Sequence, residues 1–251
     1  MSAVRLPTPI ATAALAVSGL LLAGTVSCSA EPGPAAAQSR ATPEASATAA
    51  EVFDPMVALE RADKSPYSAD LLVKTEVGGV GNMRMSGRVN LNTEFTGRLE
   101  LRTGENTPPE QAMRMEMVVT SDGRFGRDLD AEGGWQRLPK SETNVITDYA
   151  EYAKLLLGLG RSARKGVEER GGVTAYRLSG RLRADQIRAI DPSVHNSMRT
   201  SGVSSFKCDQ WIDENGRTVR FEQWIDFGGT EGHNIATFAD FGPAEKFGNP
   251  M

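Results

Sequence analysis

His195 and His233 are the only imidazoles in this 251-residue chain, and neither sits in a cluster of other ligand types. Metal sites draw on His, Cys and carboxylate side chains at close spacing, so each reads as a surface or loop histidine. A serine nucleophile on a sharp turn would show as G-x-S-x-G. No such segment occurs, and "RLSGRL" lacks the first glycine. "GGVGNM" has no lysine and does not precede a helical pattern, so it does not read as a phosphate loop. Asp209, Asp213, Glu222 and Asp226 alternate with apolar residues. That pattern predicts a solvated sheet face rather than two carboxylates held across a glycosidase cleft. Nothing here makes a catalytic constellation or implies a cofactor, and the sequence reads as a non-enzyme.

The unusual residues are methionines. "NMRMSGRVNL" places Met83 and Met85 two apart, and "QAMRMEMVVT" does the same with Met113, Met115 and Met117, five of the nine in the chain. Period two puts each set on one face of a strand. Unbranched, polarizable side chains fill the gaps of an ordinary core, and for the same reason they suit a surface that accepts guests of variable shape. Both readings stand on the pattern alone.

The elements that must position these residues are mostly strands. Asp54 and Pro55 make a cap and first-turn pair for a short helix to about Lys64, with Val52, Met56 and Leu59 on one face. Alternating runs follow in "SADLLVKTEV", the first methionine segment, "FTGRLELRTG" and the second methionine segment. "SDG" (121–123) marks a tight hairpin into "RFGRDL", and "AEGG" another into "WQRL". From Asn144 to about Gly158 the period becomes helical, with Thr143 or Asn144 as cap and "GLG" as stop. "RADQIRAIDPSVHNSM" is a second helical stretch, broken at Pro192. The rest alternates again, and Trp211 and Trp224, on the polar face of strands joined at "ENG", read as a cross-strand aromatic pair. Antiparallel hairpins with too few helices for βαβ units predict an α+β fold, in which a strongly curved antiparallel sheet forms an open half-barrel with helices packed on its concave face.

The N-terminus is of another kind. Residues 1–27 carry one charge, Arg5, then an apolar stretch from Ala11 to Gly24 and small residues before Cys28, the order of an export signal. Cys28 is expected to be the lipidated first residue of the mature chain, although Thr25 stands where such signals carry a large aliphatic residue. Lipidation would leave Cys208 unpaired, as a small buried hydrophobe in a strand. Residues 28–50 are nearly all Ala, Pro, Ser, Thr and Glu, a disordered tether that as a flexible coil reaches roughly 25 Å. Residues 51–251 form one domain. Without Arg5 the mature chain has 27 basic and 32 acidic side chains and no basic stripe, which disfavours nucleic acid as a partner.

Three segments, "GVEERGGVTAYRLSGRL" (166–182), "CDQWIDENGRTVRFEQ" (208–223) and "ATFADFGP" (236–243), resemble the LolA-like superfamily, in particular the LppX/LprG-type lipoproteins of actinobacteria. The resemblance implies a curled half-barrel capped by helices, an extracytoplasmic place at the outer face of the cell membrane, and a hydrophobic cavity that in some members holds acyl chains. It transfers no catalytic residues. Combined with the alternation, it leads us to expect Leu71, Val73, Met83, Met85, Leu99 and Leu101 to face a ligand cavity, together with Met113, Met115 and Met117. Tyr149, Leu156 and Leu157 are expected to close it from the helix side. The expected partner is a lipid or similar hydrophobic ligand. The alternative is an envelope sensor or interaction module of the same fold, with a protein partner and no transported ligand.

Overall fold

The computed structural model describes residues 53–78, 82–104, 107–139 and 149–251. The export signal, Cys28, the tether, most of the "GGVG" turn and the expected helix start at 143–148 lie outside these residues. Helix α1 (Pro55–Arg61) begins on the expected cap, with the Asp54 carboxylate accepting from the Met56 N–H at 2.7 Å. Its buried face is Pro55, Ala58 and Leu59, whereas Met56 is exposed. The Ala58 carbonyl abuts Gly216, where a Cβ would lie 2.6 Å from it, and this contact turns Met56 outward.

Eleven strands follow: β1 (Tyr67–Val77), β2 (Asn82–Leu91), β3 (Gly97–Thr103), β4 (Arg114–Thr120), β5 (Gly123–Asp128), β6 (Gln136–Leu138), β7 (Arg164–Arg170), β8 (Val173–Arg183), β9 (Ser205–Ile212), β10 (Thr218–Asp226) and β11 (Glu231–Pro243). They form one antiparallel sheet in the order β6-β5-β4-β3-β2-β1-β11-β10-β9-β8-β7. Two meanders are thus joined where the first and last strands pair, Leu71 opposite Phe238 and Val73 opposite Ala236. The sheet is not closed, and β6 and β7 are its edges. Register shifts at Ser68/Asp70, Arg164/Gly166 and Thr218/Arg220 supply local bends. Gly87, at φ 154°, lets β2 and β3 approach so closely that a Cβ there would lie 2.8 Å from Leu99 Cα and drive into the Arg98 carbonyl.

Helix α2 (Ala150–Gly158) lies across β8 and buries Tyr152, Ala153, Leu156 and Leu157. Helix α3 (Pro192–Thr200) starts at Pro192 rather than breaking there, because proline suits a first turn whose N–H groups lack helical partners. Only a 3-10 turn, Ala184–Ile187, precedes it. The Asp191 carboxylate accepts from the Val194 N–H at 3.0 Å and from the Tyr152 hydroxyl at 2.8 Å, joining the two helices through a buried network. Burial pushes the Asp191 carboxyl above its ordinary range despite these bonds.

The convex face corrects two expectations. Asp209, Asp213 and Glu222 are buried at 1%, 3% and 6% exposure, and only Asp226 is solvated. Arginines cover them, Arg177 from the neighbouring β8, Arg217 from the adjoining turn and Arg220 from the same strand as Glu222. Asp209 takes Arg177 and the Ser179 hydroxyl, each at 2.6 Å; Asp213 takes Arg217 Nε at 2.8 Å; Glu222 takes Arg220. Nor do the tryptophans pair. The register sets Trp211 opposite Arg220 and Trp224 opposite Lys207. Trp211 instead lies beneath Arg170 and Arg177, at 4.7 and 5.2 Å, and Trp224 between Lys207 and the stacked His233 ring.

Glu116, on the convex side of β4, clamps three strands by accepting from Arg98 Nε at 2.6 Å and Arg127 Nε at 2.7 Å. Burial acts to raise its pKa, but the two guanidinium bonds outweigh this and hold it below the ordinary 4.5. The folded state therefore keeps this carboxylate charged where the unfolded chain protonates it. Its contribution is whole above about pH 4.5 and is lost as pH falls through the lower folded value. Glu116→Gln is expected to cost about 1–2 kcal/mol near neutral pH and to flatten the fall in melting temperature between about pH 5 and pH 3, as thermal unfolding would show.

Candidate ligand-binding face

Alternation puts the odd-numbered residues of β1, β2, β3 and β4 on the concave side, and the antiparallel register aligns them into rows. One row runs Leu71, Gly87, Leu99, Met117 and Gly126 across β1 to β5. The next runs Val73, Met85, Leu101 and Met115, ending at Asp128. The third holds Thr75, Met83 and Thr103, with Met113 bonded to Thr103 through its N–H at 2.9 Å. All nine strand residues expected on this face are therefore neighbours.

They are not equally covered. Leu71, Leu99, Leu101 and Met117 are buried, with Met117 at 1% exposure. Val73, Met83, Met85, Met113 and Met115 are half-buried. The methionines thus divide: Met117 belongs to the packed core, and the other four line a surface that is incompletely covered. Met115 leans over Gly126, its Sδ 3.2 Å from where a Cβ would stand, with a Leu138 methyl 3.0 Å away. Long flexible groups here fill the space a side chain on Gly126 would have taken.

The helix-side residues lie over the other half of the sheet. Tyr149 precedes α2 and packs edge-on against Phe221 at 5.2 Å and Phe238 at 5.0 Å, while its carbonyl accepts from Gln210 Nε2 at 2.8 Å. Leu156 and Leu157 are core residues under α2, and Gly180 on β8 gives Leu156 room, with a Cβ there falling 3.2 Å from its Cδ2. The structure brings Tyr149, Leu156 and Leu157 together over β8, β10 and β11, beyond β1 from the methionine rows.

Among the cavities formed by described residues, one of about 460 Å³ lies between α1 and the start of α2 and includes Tyr149; one of about 890 Å³ lies outside α1. Another, about 310 Å³, opens at the methionine end, where Met83 meets Lys74, Arg84 and Arg102. Among the described residues no three His, Cys, Asp or Glu side chains converge as a metal would require, and no helix is long and apolar enough to cross a membrane. Neither histidine is in a loop: His195 is in α3, and His233 in β11 lies 3.5 Å from Glu222. Cys208 is free and buried on the concave side of β9, and burial raises its thiol pKa.

Several concave polar groups have no counterpart among the expected site residues. Arg124 on β5 stands opposite Val119 and Leu138. Gln223 on β10 is buried with Nε2 unpaired, beside Asn234, whose Oδ1 accepts from the Thr75 hydroxyl at 2.9 Å. The signal for Arg124 was the "SDG" hairpin, since pairing Thr120 with Gly123 fixes Val119 opposite Arg124.

No family model and no curated protein matches the chain. Among solved structures it is similar to LprF from Mycobacterium bovis at 15% identity, with 78% of this chain and 96% of that one covered and a TM-score of 0.47. It is similar to the Mycobacterium tuberculosis lipoprotein LppX at 16% identity, covering 77% and 96%, with a TM-score of 0.45. For the LolA superfamily protein NE2245 from Nitrosomonas europaea the identity is 9%, the coverage 77% and 95%, and the TM-score 0.29.

Proposed function

We propose that this protein binds or shuttles a lipid-like molecule in the cell envelope, held to the outer face of the membrane by a lipidated Cys28 and a tether. The observation that carries this reading is the uneven cover of one apolar face: helix packing is concentrated on β8, while Val73, Met83, Met85 and Met115 on β1, β2 and β4, and Met113 just before β4, stay half-buried. Such a site works by apolar burial. About fifteen methylenes at ~0.8 kcal/mol each offer about 12 kcal/mol, which after about 4 kcal/mol of immobilisation leaves about 8 kcal/mol, a micromolar affinity. The test is a titration of the purified protein with methyl parinarate, a neutral fluorescent acyl ester. The proposed function requires saturable binding with a Kd in the micromolar range, and fluorescence no higher than in buffer would remove it.

A second reading, an envelope interaction module, is favoured by the convex face. Lys74, Arg84, Arg102 and Arg114 stand directly opposite one another across β1 to β4. Like charges in such a row destabilise a sheet. Arg114 has Glu100 at 2.8 Å, whereas Lys74, Arg84 and Arg102 hold no ion pair among the described residues. An anionic partner surface would compensate them.

A further inference from the structure

Most arginines of this sheet hold a carboxylate; among the described residues Arg84, Arg102, Arg137 and Arg181, on the convex side, form no ion pair. On the convex side Arg88, Arg98, Arg114, Arg127, Arg177 and Arg217 each hold a carboxylate within 3.2 Å. Arg124 is also without one, but it lies on the opposite, apolar face and is half-buried there. The register places it between Val119 on β4 and Leu138 on β6, both apolar. Among the described residues its guanidinium has no carboxylate partner, and its one side-chain hydrogen bond goes to the Met117 thioether at 3.8 Å, a weak acceptor. Asp128, on the same face of β5, lies four residues and roughly 14 Å further along the strand. It makes no ion pair with Arg124, and its carboxylate accepts from the Asp130 N–H. Burial draws the Arg124 pKa below its ordinary value, and no anion among the described residues opposes it. A half-buried cation without a counter-ion costs stability that an ordinary core position would not.

The space beside it is adaptable. Gly126, next on the concave side of β5, presents no side chain, and the volume above it is taken by Met115 Sδ and the Leu138 methyls. Beyond lie Met85 and then Met83, one and two rows on. A planar fork of N–H donors matches an acidic headgroup, and a run of movable thioethers matches a hydrocarbon chain.

We infer that Arg124 anchors the acidic headgroup of an amphiphile whose hydrocarbon chain lies over the methionine rows. This rests on the carrier reading above and adds the class of ligand, an anionic amphiphile. The test compares cis-parinaric acid with its methyl ester, the same chain with and without charge, on wild type, Arg124→Gln and Arg124→Lys. Wild type should bind the acid about tenfold more tightly than the ester. Arg124→Gln should weaken the acid about tenfold, leave the ester within about twofold, and not lower the melting temperature, since it removes an unpaired cation. Arg124→Lys, which keeps the charge and loses the fork, should fall between. Acetate should not displace the acid; displacement would mean a site for free anions and would overturn the amphiphile assignment. An acid-to-ester ratio unchanged in Arg124→Gln, or equal weakening of both probes, would overturn the role of Arg124 while leaving the carrier reading intact. A wild type that binds neither probe would overturn both.

Discussion

Gly87→Ala is expected to destabilise the protein by about 3–5 kcal/mol, from a backbone conformation open almost only to glycine added to a steric clash. The added Cβ would strike the Arg98 carbonyl and Leu99 Cα, which belong to the β2–β3 ladder and cannot swing away as a side-chain tip would. Such a loss is a large share of the stability of a typical domain. The measurement is a urea midpoint that falls at unchanged slope. Gly166→Ala is the control: Gly166 has φ 96° but nothing within 4 Å of an added Cβ, so only the conformational cost of about 1–3 kcal/mol applies, without the clash. Equal losses at the two positions would show that close approach at Gly87 does not shape the sheet.

Met115→Trp is expected to weaken methyl parinarate binding at least about tenfold while costing the unliganded protein less than about 1 kcal/mol. The indole would occupy the space above Gly126 and beside Met85, where the chain is proposed to lie. A core position behaves in the opposite way. If Met115 were ordinary packing, the larger ring would destabilise by about 1–3 kcal/mol and leave ligand binding unmoved. Met117→Trp supplies that comparison, because Met117 is 1% exposed and enclosed by Leu99 and Gly126.

Period two made the strands readable, and on β1 to β4 it groups the expected residues on one face of the sheet. It failed on β5. There Phe125 is the large apolar residue, yet it is buried on the convex side, opposite Val118 and near Arg137, leaving Arg124 and Gly126 inside. Hydropathy alone assigns that strand backwards; only the hairpin register corrects it. The pairing of β1 with β11 joins residues more than 150 positions apart and has no local signature. Asp209 was hidden for a related reason, since the arginine over it, Arg177, comes from the neighbouring strand β8. Trp211 and Trp224 missed each other because they stand at unequal distances from the turn: with Asp213 bonded to Arg217, Trp211 is two residues before that pair and Trp224 seven after it.

Whether one apolar face of this sheet carries a guest is most directly settled by native mass spectrometry of the protein purified from cells without detergent. The carrier reading predicts a discrete adduct of one lipid-sized mass, shed on denaturation and absent from Met115→Trp. The bare polypeptide mass from every expression condition tried, with the fold intact, would contradict it.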